Sequence, residues 1–468
     1  MLHGLVLRFA RDRKANVAVI FALTLVPTIY LAGMALDYTQ ALRKQGQLDA
    51  AADAAAIAAV RPAMLTVTDA NAVKATAAAV FAAKANMPGL TVVPTPDITV
   101  TDSGLKRTIK VSYVAQSINN FPSVLGAPSW KVQGSATAEA SSAPNMNFYL
   151  LLDDSPSMAI AATQNDINAL ISATSKQPGG SKNCAFACHE TNPQLDSGAN
   201  SSTKDNLSVA RANNITLRID LVVNAVKQLL VGPWSCLQAN VSGGVMQCMS
   251  AINSTTYKAA IYTFDYNLNT IQTLTSPSSA GTKISNIQLM TVDHQNCVTT
   301  AICNTDFGTD ISGALTSLNA IMPAPGSGTN QSGDTPQEVV FLVTDGVEDK
   351  LIAKTASCDP NATYPLPSAG TQVRCQQPLN TAACDAIKNR GIRIAILYTE
   401  YLQLSDSWYN SRIAQFNNPS SSTGAIAQRL QSCASPGLFA NVQTGGDIST
   451  ALTNLFLKVA SSTASLVQ

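Results

Sequence analysis

The chain has 468 residues, 46% of them hydrophobic and 13% charged, with 30 basic against 29 acidic side chains for a net charge of +1. This length exceeds the usual single domain and predicts an anchor plus two folded parts, one of them large. A balance this close to neutral excludes a broad basic field for nucleic acid and an acidic tail.

At the N-terminus Arg8, Arg11, Arg13 and Lys14 precede Ala15–Leu36, a stretch of 22 residues without a charge. As a helix this stretch reaches roughly 33 Å, enough to cross a bilayer core. The positive-inside rule keeps residues 1–14 cytoplasmic and sends everything after Asp37 across the membrane. A cleaved signal peptide is the alternative, with Gly33 and Ala35 as small residues for a peptidase, but the apolar run is longer than a signal core. The Ala-, Leu- and Gln-rich segment Tyr38–Val60 predicts that the membrane helix continues outward until Arg61 and Pro62 end it. A second helix is expected over Ala70–Ala85, then short strands at Leu90–Val93, Ile98–Val100 and Thr108–Val114, making residues 37–144 a long helix plus a small α+β domain. Ser- and Ala-rich sequence around Ala136–Pro144 reads as a linker, with the boundary near Asn145.

From residue 145 to 468 strand-like and helical patterns alternate. Strands are expected at Asn147–Leu152, Tyr257–Phe264, Val339–Val343 and Ile392–Tyr398, and helices at Leu217–Leu230, Ile311–Ile321 and Cys384–Asn389. The fold class is α/β, a doubly wound, mostly parallel, Rossmann-like sheet covered on both faces. Two of the strands run into acids, Asp153 and Asp345, at the carboxyl edge where open α/β sheets bind ligands.

That edge carries Asp153-Asp154-Ser155-Pro156-Ser157, then Gly308-Thr309-Asp310 and Thr344-Asp345-Gly346. Hydroxyls and carboxylates are hard donors suited to a hard divalent cation, Mg²⁺ first, with Mn²⁺ or Ca²⁺ as alternatives. Alone, Asp-x-Ser-x-Ser is more often a capped helix start. In this order and strand context the three fragments resemble the von Willebrand factor A fold and its metal-ion-dependent adhesion site. The resemblance implies that Ser155 and Ser157 ligate the metal directly, Thr309 directly or through water, and Asp153 and Asp345 mainly through waters. One position is then left for a carboxylate from a protein partner's exposed Asp or Glu. Two departures stand out: Pro156 where Gly is common, and an insertion over about 159–214.

All ten cysteines, Cys184, Cys188, Cys236, Cys248, Cys297, Cys303, Cys358, Cys375, Cys384 and Cys433, follow the anchor, and an even number in one region fits disulfides formed outside the cytosol. Short rings are expected for Cys236 with Cys248 and for Cys297 with Cys303, and the insertion is expected to be disulfide-containing. The connectivity of the last four stays open. Cys184-Ala-Phe-Ala-Cys188-His189 is one residue longer than a haem c attachment motif. It also offers three zinc donors, so a periplasmic redox or metal-handling protein is the alternative from another class. With three histidines in the whole chain, His294 among them, a Ser/His/Asp triad is poorly supplied. Neither Walker A nor Gly-x-Gly-x-x-Gly follows a strand, and the chain is read as not an enzyme.

Residues Asn16–Val60, with Pro27 in the apolar run, Asp37 after it, and Gln47-Leu-Asp49-Ala-Ala-Ala-Asp53-Ala-Ala-Ala56, resemble the N-terminus of TadE/TadG-like pilus-assembly proteins, the TadG type of which often adds a C-terminal A domain. The resemblance implies a part in assembling or anchoring tight-adherence (Flp) pili. It places the chain as a single-pass protein of the bacterial inner membrane, its A domain in the periplasm and its partners among pilin or pilus-assembly components. A general surface adhesin is the remaining alternative; no nucleic acid or small-molecule substrate is expected.

Overall fold

The computed structural model describes residues 15–467 except 92, 104, 122–126, 237–240, 294–307, 331, 354–355, 357, 359–362, 365–371, 401–406, 418–423, 444 and 461–463. The chain divides into two compact units, Met1–Ser142 with Ser462–Gln468, and Ala143–Ser461.

In the first unit a single 45-residue helix, α1 (Ala15–Ala59), carries the whole apolar run and its continuation. Its first half exposes apolar side chains, Leu23 at 70% and Ile20 at 60% among them. The hydroxyls of Thr24 and Thr28 donate to the carbonyls of Ile20 and Thr24, so neither is left unpaired on that apolar surface. The second half turns an alanine face, Ala51, Ala52, Ala55, Ala56 and Ala59, into a core. Helix α2 (Ala70–Ala85) starts where Asp69 accepts from the Asn71 amide at 2.9 Å, and it buries Val73, Ala77, Phe81 and Ala85. An antiparallel sheet of β1 (Asp97–Ser103), β2 (Lys106–Ile118) and β3 (Ser129–Ser141) closes this core. Along β2 alternate residues Ile109, Val111, Tyr113 and Ala115 face inward, as the period of two requires. The Ala- and Ser-rich stretch expected to be a linker belongs to β3 instead. Ala136, Ala138 and Ala140 point inward, where small side chains suit a helix face that is itself alanine. The end of the chain, Ala464–Val467, pairs antiparallel with β3, whereas the sequence reading had carried the second region to the C-terminus.

The second unit is built on a six-stranded sheet. Its strands are β4 (Met146–Asp153), β5 (Tyr257–Phe264), β6 (Leu268–Thr275), β7 (Gln337–Thr344), β10 (Arg393–Thr399) and β11 (Phe439–Val442); β8 (Val347–Ala353) and β9 (Gln372–Pro378) pair antiparallel in a separate sheet that Thr363–Tyr364 joins beside β9. The order across the sheet is β11-β10-β7-β4-β5-β6, all parallel except the edge strand β6. Every residue of β4 is buried, because helices cover both faces. Phe148, Leu150 and Leu152 pack on one side with α5 (Arg218–Leu230) and α9 (Ile448–Ala460). Tyr149 and Leu151 pack on the other with α6 (Ile311–Ile321), α7 (Ala382–Asn389) and α8 (Ala425–Cys433).

The insertion after β4 contains two helices, α3 (Gln164–Ala173) and α4 (Asn206–Ala212), each with a side-chain cap. Thr163 accepts from the Asp166 amide at 3.1 Å, and Asp205 accepts from the Ser208 amide at 2.9 Å. Disulfides join Cys384 to Cys433, tying α7 to α8, and Cys358 to Cys375; Cys248 is disulfide-bonded as well. Cys297, Cys303, His294 and the side chain of Cys236 lie outside the described residues.

Candidate metal centre

Strand order places β4 and β7 side by side, so the residues at their carboxyl ends share one rim. Asp153 is the last residue of β4. Its Oδ1 accepts from the Ser155 amide at 3.1 Å and the Ser155 hydroxyl at 2.5 Å, and its Oδ2 accepts from the Thr344 hydroxyl at 2.6 Å. Asp345 follows β7, and the nearby Ser157 hydroxyl and Arg218 guanidinium oppose the rise that burial imposes on its pKa. The Ser155 and Ser157 oxygens lie 3.2 Å apart. Four of the five expected metal residues therefore lie together at one rim, with Asp153, Ser155 and Ser157 joined by hydrogen bonds and Asp345 close enough to act on Asp153 by its charge. Thr309 reaches the same rim through its backbone. It exchanges hydrogen bonds with Asp349 at 3.0 and 2.8 Å, and the next amide, Asp310, donates to the carbonyl of Asp265 just beyond β5 at 2.9 Å.

Local sequence explains these turns. Pro156, the departure from the common pattern, opens the tight turn Pro156–Ala159. Its fixed φ suits a first-turn position, and it forces Ser155 into the extended conformation observed, with ψ 166°. Gly346 has φ 82°, and a Cβ there would lie 2.7 Å from Ile426 and Leu430, so the Asp-Gly pair is a steric requirement of the rim.

The electrostatics are dominated by burial. Asp153, Ser155 and Asp345 are fully buried. Burial raises the pKa of Asp153, and the charge of Asp345 raises it further. Asp345 is also raised by burial, with Arg218 opposing. Beside them Asp154 is pushed up to about 7, again mainly by burial.

A divalent cation fits this donor set. Ligands adjacent in an octahedron with bonds of about 2.1 Å stand roughly 3 Å apart, close to the Ser155–Ser157 spacing. Two buried carboxylates supply the charge that hydroxyls lack. Among the described residues no three His, Cys, Asp or Glu side chains converge on one point, so Cys184, Cys188 and His189 do not form a zinc set. His189 instead bonds Asp205 at 3.1 Å, the residue that caps α4.

Three charged groups at the rim were missed by the sequence reading. Arg218, in the first turn of α5 and 4% exposed, approaches Asp345 at 3.5 Å and donates to the Glu400 carbonyl. Glu400 follows β10 and Asp265 follows β5, positions that the strand-end rule used for Asp153 and Asp345 would also have flagged.

One prediction follows from the raised carboxylates. A carboxyl that titrates higher when folded than when unfolded holds extra protons in the folded state, so stability is greatest below the unfolded pKa and falls as pH rises. In chelator, the melting temperature is expected to drop between about pH 4 and 7, the window set by an ordinary Asp and by Asp154. Magnesium should flatten that slope by favouring ionised Asp153 and Asp345. Calorimetric scans across pH with and without Mg²⁺ check this; parallel curves would rule it out.

Comparison with known proteins finds a family match at the N-terminal end of the chain and remote likenesses among solved structures. Residues 15–85 match the TadE/G-like Flp pilus-assembly family. No curated protein matches by sequence. Among solved structures, the vWF domain of the type V pili tip protein Mfa5 from Porphyromonas gingivalis is 12% identical with a TM-score of 0.32, over 68% of this chain and 95% of that one. The PilB minor pilin from Streptococcus sanguinis is 12% identical with a TM-score of 0.31, over 78% and 77%. Proximal thread matrix protein 1 from the mussel byssus, with a zinc-occupied MIDAS motif, is 11% identical with a TM-score of 0.30, over 70% and 48%.

Proposed function

We propose that this chain, which joins a TadE/G-like segment to a von Willebrand factor A-like sheet, is a non-enzymatic, membrane-anchored component of Flp pilus assembly or anchoring. It captures a protein partner through a divalent cation at the rim. The observation that carries this reading is the meeting of buried Asp153, Ser155 and Asp345 with half-buried Ser157 at one rim. The cation, Mg²⁺ by the hardness of its donors, would be held by the hydroxyls of Ser155, Ser157 and Thr309 and balanced by Asp153 and Asp345. When bound, it supplies a Lewis-acidic position for a carboxylate of the partner. Asp153 holds the Ser155 hydroxyl in place, and Thr344 in turn holds Asp153. The apolar half of α1 fits a single membrane pass, with the A-like region on the periplasmic side.

The test combines metal titration with capture. Asp153→Asn keeps the shape of the side chain but removes its charge and an acceptor. It should weaken Mg²⁺ binding by roughly 10- to 100-fold in calorimetry, the range for residues that orient metal ligands. Cross-linked partner capture from intact cells should fall in parallel and be lost in chelator. Capture that ignores both chelator and the Asp153→Asn and Ser155→Ala changes would defeat the proposal.

A further inference from the structure

The first unit carries a second surface, where the β2–β3 hairpin meets α1. Gly33 is buried although the helix around it is exposed, because the Phe121 ring lies against it; a Cβ at Gly33 would stand 2.8 Å from Phe121 Cγ. One turn further along, Asp37 accepts from the Asn120 amide at 2.7 Å and the Phe121 amide at 3.0 Å, and it is only 3% exposed. Next, Tyr38 and Trp130 meet edge to face with centroids 5.8 Å apart. The three rings nevertheless stay open: Tyr38 is 51% exposed, Phe121 43% and Trp130 37%.

Their height along α1 gives the surface a meaning. Counting from Ala15 at about 1.5 Å per residue, Gly33 lies roughly 27 Å along the helix and Tyr38 roughly 34 Å. A hydrocarbon core is about 30 Å thick, so if the apolar run fills it, Phe121 sits at its outer margin and the Tyr38–Trp130 pair sits among the headgroups. Aromatic rings with one polar atom favour that layer. Asp37, a carboxylate at this height, has exchanged water for two fixed amide donors, which lowers the cost of holding it beside lipid.

We propose a lipid-interface contact in which Phe121, Trp130 and Tyr38 seat the first unit on the outer headgroup layer beside the emerging helix. The occupant is lipid because the patch is continuous with the exposed apolar half of α1. The inference rests on the membrane-anchor reading. Its consequence is that the rod beyond the membrane is clamped at its base instead of swinging about Leu36.

The chain has three Trp, so Trp234→Phe with Trp408→Phe leaves Trp130 as the only indole. The full chain is reconstituted in phosphatidylcholine vesicles brominated either near the headgroup or near the chain ends. Trp130 emission is expected to fall about twofold or more with headgroup-proximal bromine and less with deep bromine, as for an interfacial ring. Emission unaffected by either lipid in floated, carbonate-resistant vesicles overturns the contact while leaving the anchor intact. The same result with Trp130 shielded from aqueous iodide means that protein covers the patch, which also overturns it. Failure to float overturns the anchor and the contact together. A diazirine-bearing phosphatidylcholine on the unaltered chain gives an independent answer. Adducts on the Phe121–Trp130 peptide support the contact, and adducts confined to the Ala15–Leu36 stretch refute it.

Discussion

Replacing Phe148 by Ala is expected to lower the unfolding free energy by about 3–5 kcal/mol, the range for deleting a fully buried ring and leaving its cavity. Phe148 is fully buried on the central strand β4. Its ring centroid stands 5.4 Å from Tyr257, 5.7 Å from Phe341 and 5.2 Å from Phe456, so one truncation removes three aromatic contacts at once. Each such pair contributes about 0.5–1.5 kcal/mol beyond area burial. The partners come from β5, β7 and α9, so the cavity opens where three elements meet and no single neighbour can collapse into it. The change should appear as a lower urea midpoint at constant slope in pulse proteolysis of the detergent-solubilised, disulfide-intact chain. Val114→Ala, at a site 55% exposed, should change it by less than about 0.5 kcal/mol. A Phe148→Ala loss no larger than that control would mean that β4 is not the centre of the sheet.

The elements legible in the sequence were those whose signal is local. Tyr257–Phe264 and Ile311–Ile321 have the predicted bounds because an unbroken apolar run buried on both faces, or a 3.6-residue period, needs no partner to be recognised. The acids at the ends of β4 and β7 were legible for the same reason. β3 was missed because its inward residues are alanines, chosen by the alanine face of α1 rather than by any strand preference. The helices of the insertion were missed under a Ser-, Gly- and Asn-rich composition, although Thr163-Gln-Asn-Asp166 is a readable cap signal. Arg218 was not legible at all. The Asp345 carboxylate it approaches is 127 residues away in sequence, and only the packing of α5 against the rim brings them together.

Arg218→Met should produce the other large effect, and its sign should depend on metal. In chelator the guanidinium faces the carboxylate of Asp345, whose charge in turn acts on Asp153, and it opposes the rise that burial imposes on the pKa of the buried Glu400. Methionine keeps much of the volume but removes the charge and the hydrogen bond to the Glu400 carbonyl. Breaking one side of a buried ion pair costs about 3–5 kcal/mol. Magnesium should recover much of this loss, since a ligand at a thousand times its Kd stabilises by about 4 kcal/mol. The variant should also bind Mg²⁺ more tightly than the parent, because a competing positive charge beside Asp345 is gone. Thermal shifts of parent and variant in chelator and in saturating Mg²⁺ measure both effects in one experiment. Equal Mg²⁺ shifts for the two proteins would show that guanidinium and cation do not share the Asp345 field, and would remove the electrostatic basis for placing the metal at this rim.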